Sequence, residues 1–126
     1  LPYLLINATS ISFEGLWELV ERYHGVMFPA HIDKTAFSLI SNLGFIPEDS
    51  RFTCAEVKDM KKLHDLQKSN PYLNQCRILS NSDAHQLELI HEPYYTLSAE
   101  AKTAEAVIAA LKTKPDFLQN HVESML

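Results

Sequence analysis

No apolar run in this 126-residue sequence approaches the roughly 18 residues a membrane-spanning helix needs, which argues against a membrane partner. Nothing near the amino terminus has the basic, apolar and small-residue order of a secretory signal, so a cytoplasmic protein is expected. Cysteine is scarce. Cys54 and Cys76 are far apart, neither belongs to a Cys-x-x-Cys pair, and each stands at the start of an apolar run. Buried free thiols in a reducing compartment are expected, not a disulfide. Basic clusters are missing as well. The densest group, Lys58, Lys61 and Lys62, lies among acids in a chain of net charge −5. A duplex nucleic-acid surface is not expected, whereas a small phosphorylated ligand is compatible with this balance. Asn7-Ala8-Thr9 fits a glycosylation acceptor, but no other feature points to secretion. The chain opens on Leu1-Pro2 and not on Met, the form taken by a fragment or a processed product.

What is present is the make-up of an ordinary soluble domain, 46% apolar and 21% charged. The length suits one domain, residues 1–126, able to bury a core without disulfides. Tyr3 to Ile6 is a short apolar run fit for an edge strand. Ser12 is an N-cap candidate, and Phe13, Leu16, Trp17, Val20 and Tyr23 follow at helical spacing. A helix over 12–24 is expected, closed by a left-handed Gly25, with Trp17 in the core and His24 near the negative end of the helix dipole. Val26 to Phe28 reads as a strand. Thr35 to Leu43 reads as a helix with Phe37, Ile40 and Leu43 on one side, closed by Gly44.

The pattern then recurs. Thr53 to Val57 is a second strand, with Glu56 near its carboxyl end. Asp59 to Gln67 is a helix that leaves His64 in solvent, and Asn70-Pro71 begins a helical turn anchored by Tyr72 and Leu73. Arg77 to Ser80 is a third strand, residues 86–91 a turn, and Tyr94 to Leu97 a fourth strand. Thr103 opens a helix striped by Ala104, Val107, Ile108 and Leu111, and Pro115 stops it. Residues 115–126 form a tail with a short helix over 117–125. Strands alternating with helices, without internal repeats, imply an α/β fold with a mostly parallel sheet.

Two strand ends carry the chemistry. Pro29-Ala30-His31-Ile32-Asp33 follows the first strand, and Ser80-Asn81-Ser82-Asp83-Ala84-His85 follows the third. A carboxylate and imidazoles just past strand ends are good ligands for a divalent metal, and chemistry collects at the carboxyl ends of strands in barrel-like α/β folds. The Asp-x-His pair alone is weak, because chance supplies about 0.3 such pairs in a chain with six Asp and six His. Each residue has a plainer reading too: His31 as a loop histidine satisfied by backbone groups, Asp83 and His85 as a turn former and an exposed histidine.

In order along the chain, Pro29 to Asp33, Ser38-Leu39, Leu43 to Pro47 and Ser80 to His85 resemble the carboxyl-terminal part of PHP-domain proteins, the polymerase and histidinol phosphatase superfamily. The resemblance spans residues 11–111. It implies a distorted (β/α)7 barrel, two or three divalent metal ions (Zn, Mn or Fe) at the strand ends, and hydrolysis of phosphate esters. It casts His31 as the family's late histidine ligand and Asp83 and His85 as its final Asp-x-His motif. Asp83 would ligate the ion shared with the family's early His-x-His pair, His85 a second and His31 a third. Glu56 falls where the family often has a strand-end Glu, without an assigned role.

The family's earlier motifs, His-x-His among them, do not occur in the sequence, which holds about a third of the expected ligands. The chain alone is therefore expected to be inactive, with a missing amino-terminal half or a second copy of itself as partner. Asp33 would orient a histidine ring, and Lys34 would meet a substrate phosphate. The substrate would be a small phosphomonoester or a nucleotide. Competing expectations are a non-catalytic interaction or regulatory half-domain and, more remotely, a module attached to a polymerase.

Overall fold

The computed structural model describes residues 9–114. The expected edge strand at 3–6 and the tail helix at 117–125 lie outside them. Within them the chain is a mixed α/β structure: four helices and a parallel sheet of two short strands.

Helix α1 runs Phe13–Arg22. The Ser12 hydroxyl accepts from the Gly15 amide at 3.0 Å and starts it. Its end corrects the expectation for Gly25. His24 takes the left-handed position, φ 58°, and donates its amide to Glu21 O, while the Gly25 amide returns to Val20 O. That pair of bonds is a Schellman close with a histidine where glycine is usual. Gly25 serves the next position, where a Cβ would come within 3.0 Å of Val20 Cγ1. Trp17 is the buried residue of this helix.

Val26 to Phe28 does not form a regular strand. Only two hydrogen bonds among the described residues join the segment after it to the sheet: Glu56 N to Pro29 O (3.0 Å) and Ile32 N to Glu56 O (2.9 Å). A parallel ladder would take the second bond from His31, two residues beyond Pro29. Here φ at His31 is 32°, the chain gains a residue, and Ile32 donates instead. The bulge ends the pairing beyond Glu56, and before it the in-register donor to Cys54 O would be Pro29, which has no amide hydrogen.

Helix α2, Leu39–Leu43, is shorter than expected. Ser38, buried, caps it reciprocally with Ser41 and donates its hydroxyl to Lys34 O at 2.8 Å. Gly44 ends it with φ 81°, a conformation that glycine adopts without strain. Phe37 lies before the cap, so it does not join the apolar face expected of it. It is 93% exposed, with φ 58°. A bulky residue in this region costs about 1–2 kcal/mol. Phe37→Gly is therefore expected to raise the free energy of unfolding by roughly 1 kcal/mol in urea titration, although it deletes an aromatic ring. A loss of stability would show instead that the ring packs.

Strand β1, Cys54–Glu56, is buried along its whole length, and Phe52 and Val57 on either side are buried too. It pairs in parallel with β2, Arg77–Leu79, with Cys54 opposite Arg77 and Glu56 opposite Leu79. The crossover is a 3-10 turn, Met60–Lys62, then α3, Leu63–Ser69, then a second 3-10 turn, Pro71–Gln75, which plants Tyr72 and Leu73 in the core. Buried Asn70 joins the layers, accepting from Ile46 N at 3.0 Å. The Tyr72 hydroxyl lies against the carbonyls of Ser50 and Phe52, and burial, then the neighbouring Cys76, pushes its pKa up to about 12. Cys54 and Cys76 are free and buried. Burial first, then Cys54, raises the Cys76 thiol to about 12, so neither sulfur is a poised nucleophile.

Beyond β2 the chain is open. Residues 94–97 form no strand. Tyr94 and Tyr95 are 74% and 52% exposed, and no neighbouring strand among the described residues receives them. High β propensity without a partner does not make a strand. Helix α4, Ala104–Lys112, is capped by Thr103 and has no fully buried residue. It is tied to β1 through its Leu111 carbonyl, which accepts from Thr53 Oγ1 and from Cys54 Sγ at 3.0 Å.

Candidate functional site

Parallel strands bring their carboxyl ends to one side, so the loops after β1 and β2 meet there. The Pro29–Asp33 loop joins them because its two bonds to Glu56 hold it against the end of β1. Three segments distant in sequence thus place His31, Glu56 and Asp83 at one end of the sheet.

Asp83 is the centre of the charge network. Its Oδ2 accepts a hydrogen bond from Lys34 Nζ, and Lys58 Nζ is 3.7 Å from the same oxygen. The Lys34 hydrogen bond holds the Asp83 carboxyl below the usual carboxylate range against desolvation. The charges of Lys34, His31 and Lys58 act in the same direction. The backbone at Asp83 is left-handed, φ 51°. Two of the four non-glycine residues with positive φ among the described residues are therefore His31 and Asp83, both expected as ligands. Aspartate tolerates this conformation well, and the bulge imposes it on His31.

Glu56 is the residue that sequence reasoning left without a role. It is 8% exposed, and its carboxylate accepts no hydrogen bond among the described residues. Its nearest basic group is His31, with Nδ1 at 3.9 Å from Oε2. The residue as a whole is buried, but its carboxylate oxygens are not among the buried polar atoms that lack a partner, so they keep contact with solvent and stay open to a cation. Its signal in the sequence was its place at the end of an apolar strand.

Among the described residues Asp33 meets no histidine ring. Its two oxygens accept from the amides of Lys58 (2.8 Å) and Asp59 (3.0 Å), pinning the loop to the turn after β1. Partial burial raises this carboxyl, but the two amides and the charge of Lys62 outweigh it, and its pKa lies below the ordinary value. Lys34 faces Asp83. His85 is exposed, with Nδ1 3.0 Å from the Asp83 carbonyl oxygen, and faces no carboxylate within 4.0 Å among the described residues. Among those residues no three His, Cys, Asp or Glu side chains are grouped closely enough to hold one ion. The donors are of the right chemistry and share one end of the sheet, but Lys34 already occupies the Asp83 carboxylate.

The lowered carboxyls give the protein an acid dependence. Both Asp33 and Asp83 have folded pKa values below their unfolded ones, near 4. Their contribution is complete above pH of about 4 and is lost as pH falls through the folded values. The urea midpoint should therefore fall below about pH 4, and fall less steeply in the double variant Asp33→Asn, Asp83→Asn. Identical profiles would contradict the network.

Compared with known proteins, the chain matches no family model, no curated protein and no solved structure. Among the described residues, no helix is long and apolar enough to cross a membrane.

Proposed function

We propose that this chain is the carboxyl-terminal part of a metal-dependent phosphoesterase of the PHP type, its two-stranded sheet forming part of a distorted (β/α)7 barrel. One observation carries the reading. His31 and Asp83, from loops distant in sequence, come to the same end of the sheet on left-handed backbone, with the Glu56 carboxylate 3.9 Å from the His31 ring. In this reading His31, Asp83 and His85 are ligands to divalent ions of the zinc, manganese or iron kind, with the remaining ligands on an amino-terminal half that these 126 residues do not contain. Bound divalent metal lowers the pKa of a water toward neutrality and neutralises phosphoryl oxygens. Lys34 holds Asp83 in place until the site is filled; released, Lys34 and Lys58 lie where a phosphate dianion would be neutralised. The substrate class is a small phosphomonoester or a nucleotide.

The 126-residue chain alone is expected to release no phosphate from p-nitrophenyl phosphate, with or without Mn2+. The same chain preceded by an amino-terminal half bearing His-x-His is expected to do so. Metal-dependent turnover by the chain alone would overturn the division of the site.

A second reading, a non-catalytic interaction half-domain, draws on the apolar side chains exposed after β2: Leu87, Ile90 and Tyr94. A strict monomer by light scattering at high concentration would remove its self-association form.

A further inference from the structure

Beside Asp83, an open cleft of about 450 Å3 separates the 33–37 loop from the turn over 58–62. We infer that it binds a nucleoside monophosphate, with Lys58 and Lys62 on the phosphate and the Phe37 ring stacked on the base. The inference rests on the phosphoesterase reading for its place next to the reacting centre and narrows that reading to nucleotides.

The aromatic wall is unusual. Phe37 is almost wholly in solvent, on left-handed backbone that a phenylalanine enters at a cost. The loop that holds it is rigid. Ser38, next in sequence, is buried and bonds Lys34 O, Ser41 N and, through its own amide, Ser41 Oγ. The Phe37 backbone is thus set at the rim of the cleft, and among the described residues the ring is almost wholly exposed. An exposed π-face at the rim can stack on any base, whatever its identity.

The opposite wall supplies charge. The acids of the cleft are already engaged: Asp33 by two backbone amides, Asp59 by the Lys61 amide at 3.1 Å, and Asp83 by Lys34. Lys62 has no carboxylate within 4.0 Å among the described residues, and Lys58 is 3.7 Å from the Asp83 oxygen that Lys34 already holds. Lys58 and Lys62 are the ammonium groups on this wall, and a phosphate there competes for Lys62 with the Asp33 carboxylate, on which the Lys62 charge already acts. The net charge of −5 opposes a long polyanion, so a mononucleotide is favoured over a nucleic-acid strand. The volume lies in the range of about 300–1,000 Å3 typical of small-molecule sites.

The test is calorimetric titration of the whole 126-residue chain, in chelator and low salt, with adenosine 5′-monophosphate and with ribose 5-phosphate. The nucleotide should bind at least about fivefold more tightly than the sugar phosphate. Phe37→Ala should abolish that ratio and leave ribose 5-phosphate unchanged, and Lys58→Gln with Lys62→Gln should weaken both ligands. Phe37 is exposed, so its loss leaves the fold intact, and circular dichroism verifies this. Equal affinities, an unchanged ratio in Phe37→Ala, or no binding of the nucleotide at millimolar concentration would overturn the inference. Base-selective binding without turnover in the joined protein would end the phosphoesterase reading alone. Turnover without base preference would end the cleft assignment alone.

Discussion

Phe52→Ala is expected to lower the free energy of unfolding by about 3–5 kcal/mol. Phe52 is 1% exposed and is the largest of the fully buried side chains. Its ring meets Tyr72 edge-on, with centroids 4.9 Å apart and planes at 66°. Such pairs add to the area term. The void would not close easily. The Phe52 carbonyl accepts from the Tyr72 hydroxyl at 2.8 Å, so both neighbours are fixed by their backbone, and β1 begins two residues on. A domain of this size has a total stability of only about 5–15 kcal/mol, so the variant should lie close to its unfolding threshold. Urea titration gives the value directly. A loss under about 1 kcal/mol would mean that the core around β1 is not tightly packed about Phe52.

The second large effect falls on chemistry. In a protein that joins this chain to a His-x-His-bearing half, Asp83→Asn should reduce metal-dependent phosphate release by more than the roughly 10–100-fold typical of residues that merely support a ligand. The substitution keeps the shape of the side chain but removes the charge that Lys34, Lys58 and a metal would all seek. The effect differs from that of Asp33→Asn, whose carboxylate serves the amides of Lys58 and Asp59. Asp33→Asn should act mainly on stability, with activity per folded molecule reduced much less. Equal losses of activity in the two variants would mean that Asp83 is one more loop anchor and not part of a reacting centre.

How far the sequence could be read depended on the range of the interaction. Ser12 and Thr103 are local signals, and α1 and α4 start where they place them, whereas the helix expected over Asp59 to Gln67 opens as the 3-10 turn Met60–Lys62 and is α-helical over Leu63–Ser69. The apolar runs at 53–57 and 77–80 became the two paired strands because each supplies the other's hydrogen bonds. Val26 to Phe28 looked equally strand-like but is followed by Pro29, which has no amide to donate to β1, and by His31, whose positive φ has no local signature in a non-glycine residue. The same holds for His24, which took the position that glycine usually fills, and for Phe37, whose helical spacing was real but lay before the true cap at Ser38. In the site, the two strand-end loops were legible as motifs. The Lys34 to Asp83 pair was not, since it joins residues far apart in sequence through tertiary structure alone. Glu56 was visible at a strand end, but its burial and its approach to His31 required the fold.

The central claim is that the loops at His31 and Asp83 form part of a divalent-metal site in which the Lys34 ammonium holds the place of the ion. Calorimetric titration of Zn2+ or Mn2+ into the 126-residue chain and into Lys34→Ala, with Asp83→Ala as control, tests it directly. The account predicts that removing Lys34 frees the carboxylate and tightens metal binding by about tenfold or more, on the scale of about 1.4 kcal/mol per tenfold, and that Asp83→Ala abolishes the binding. Binding that is equal in all three proteins, or absent from Lys34→Ala, would contradict it.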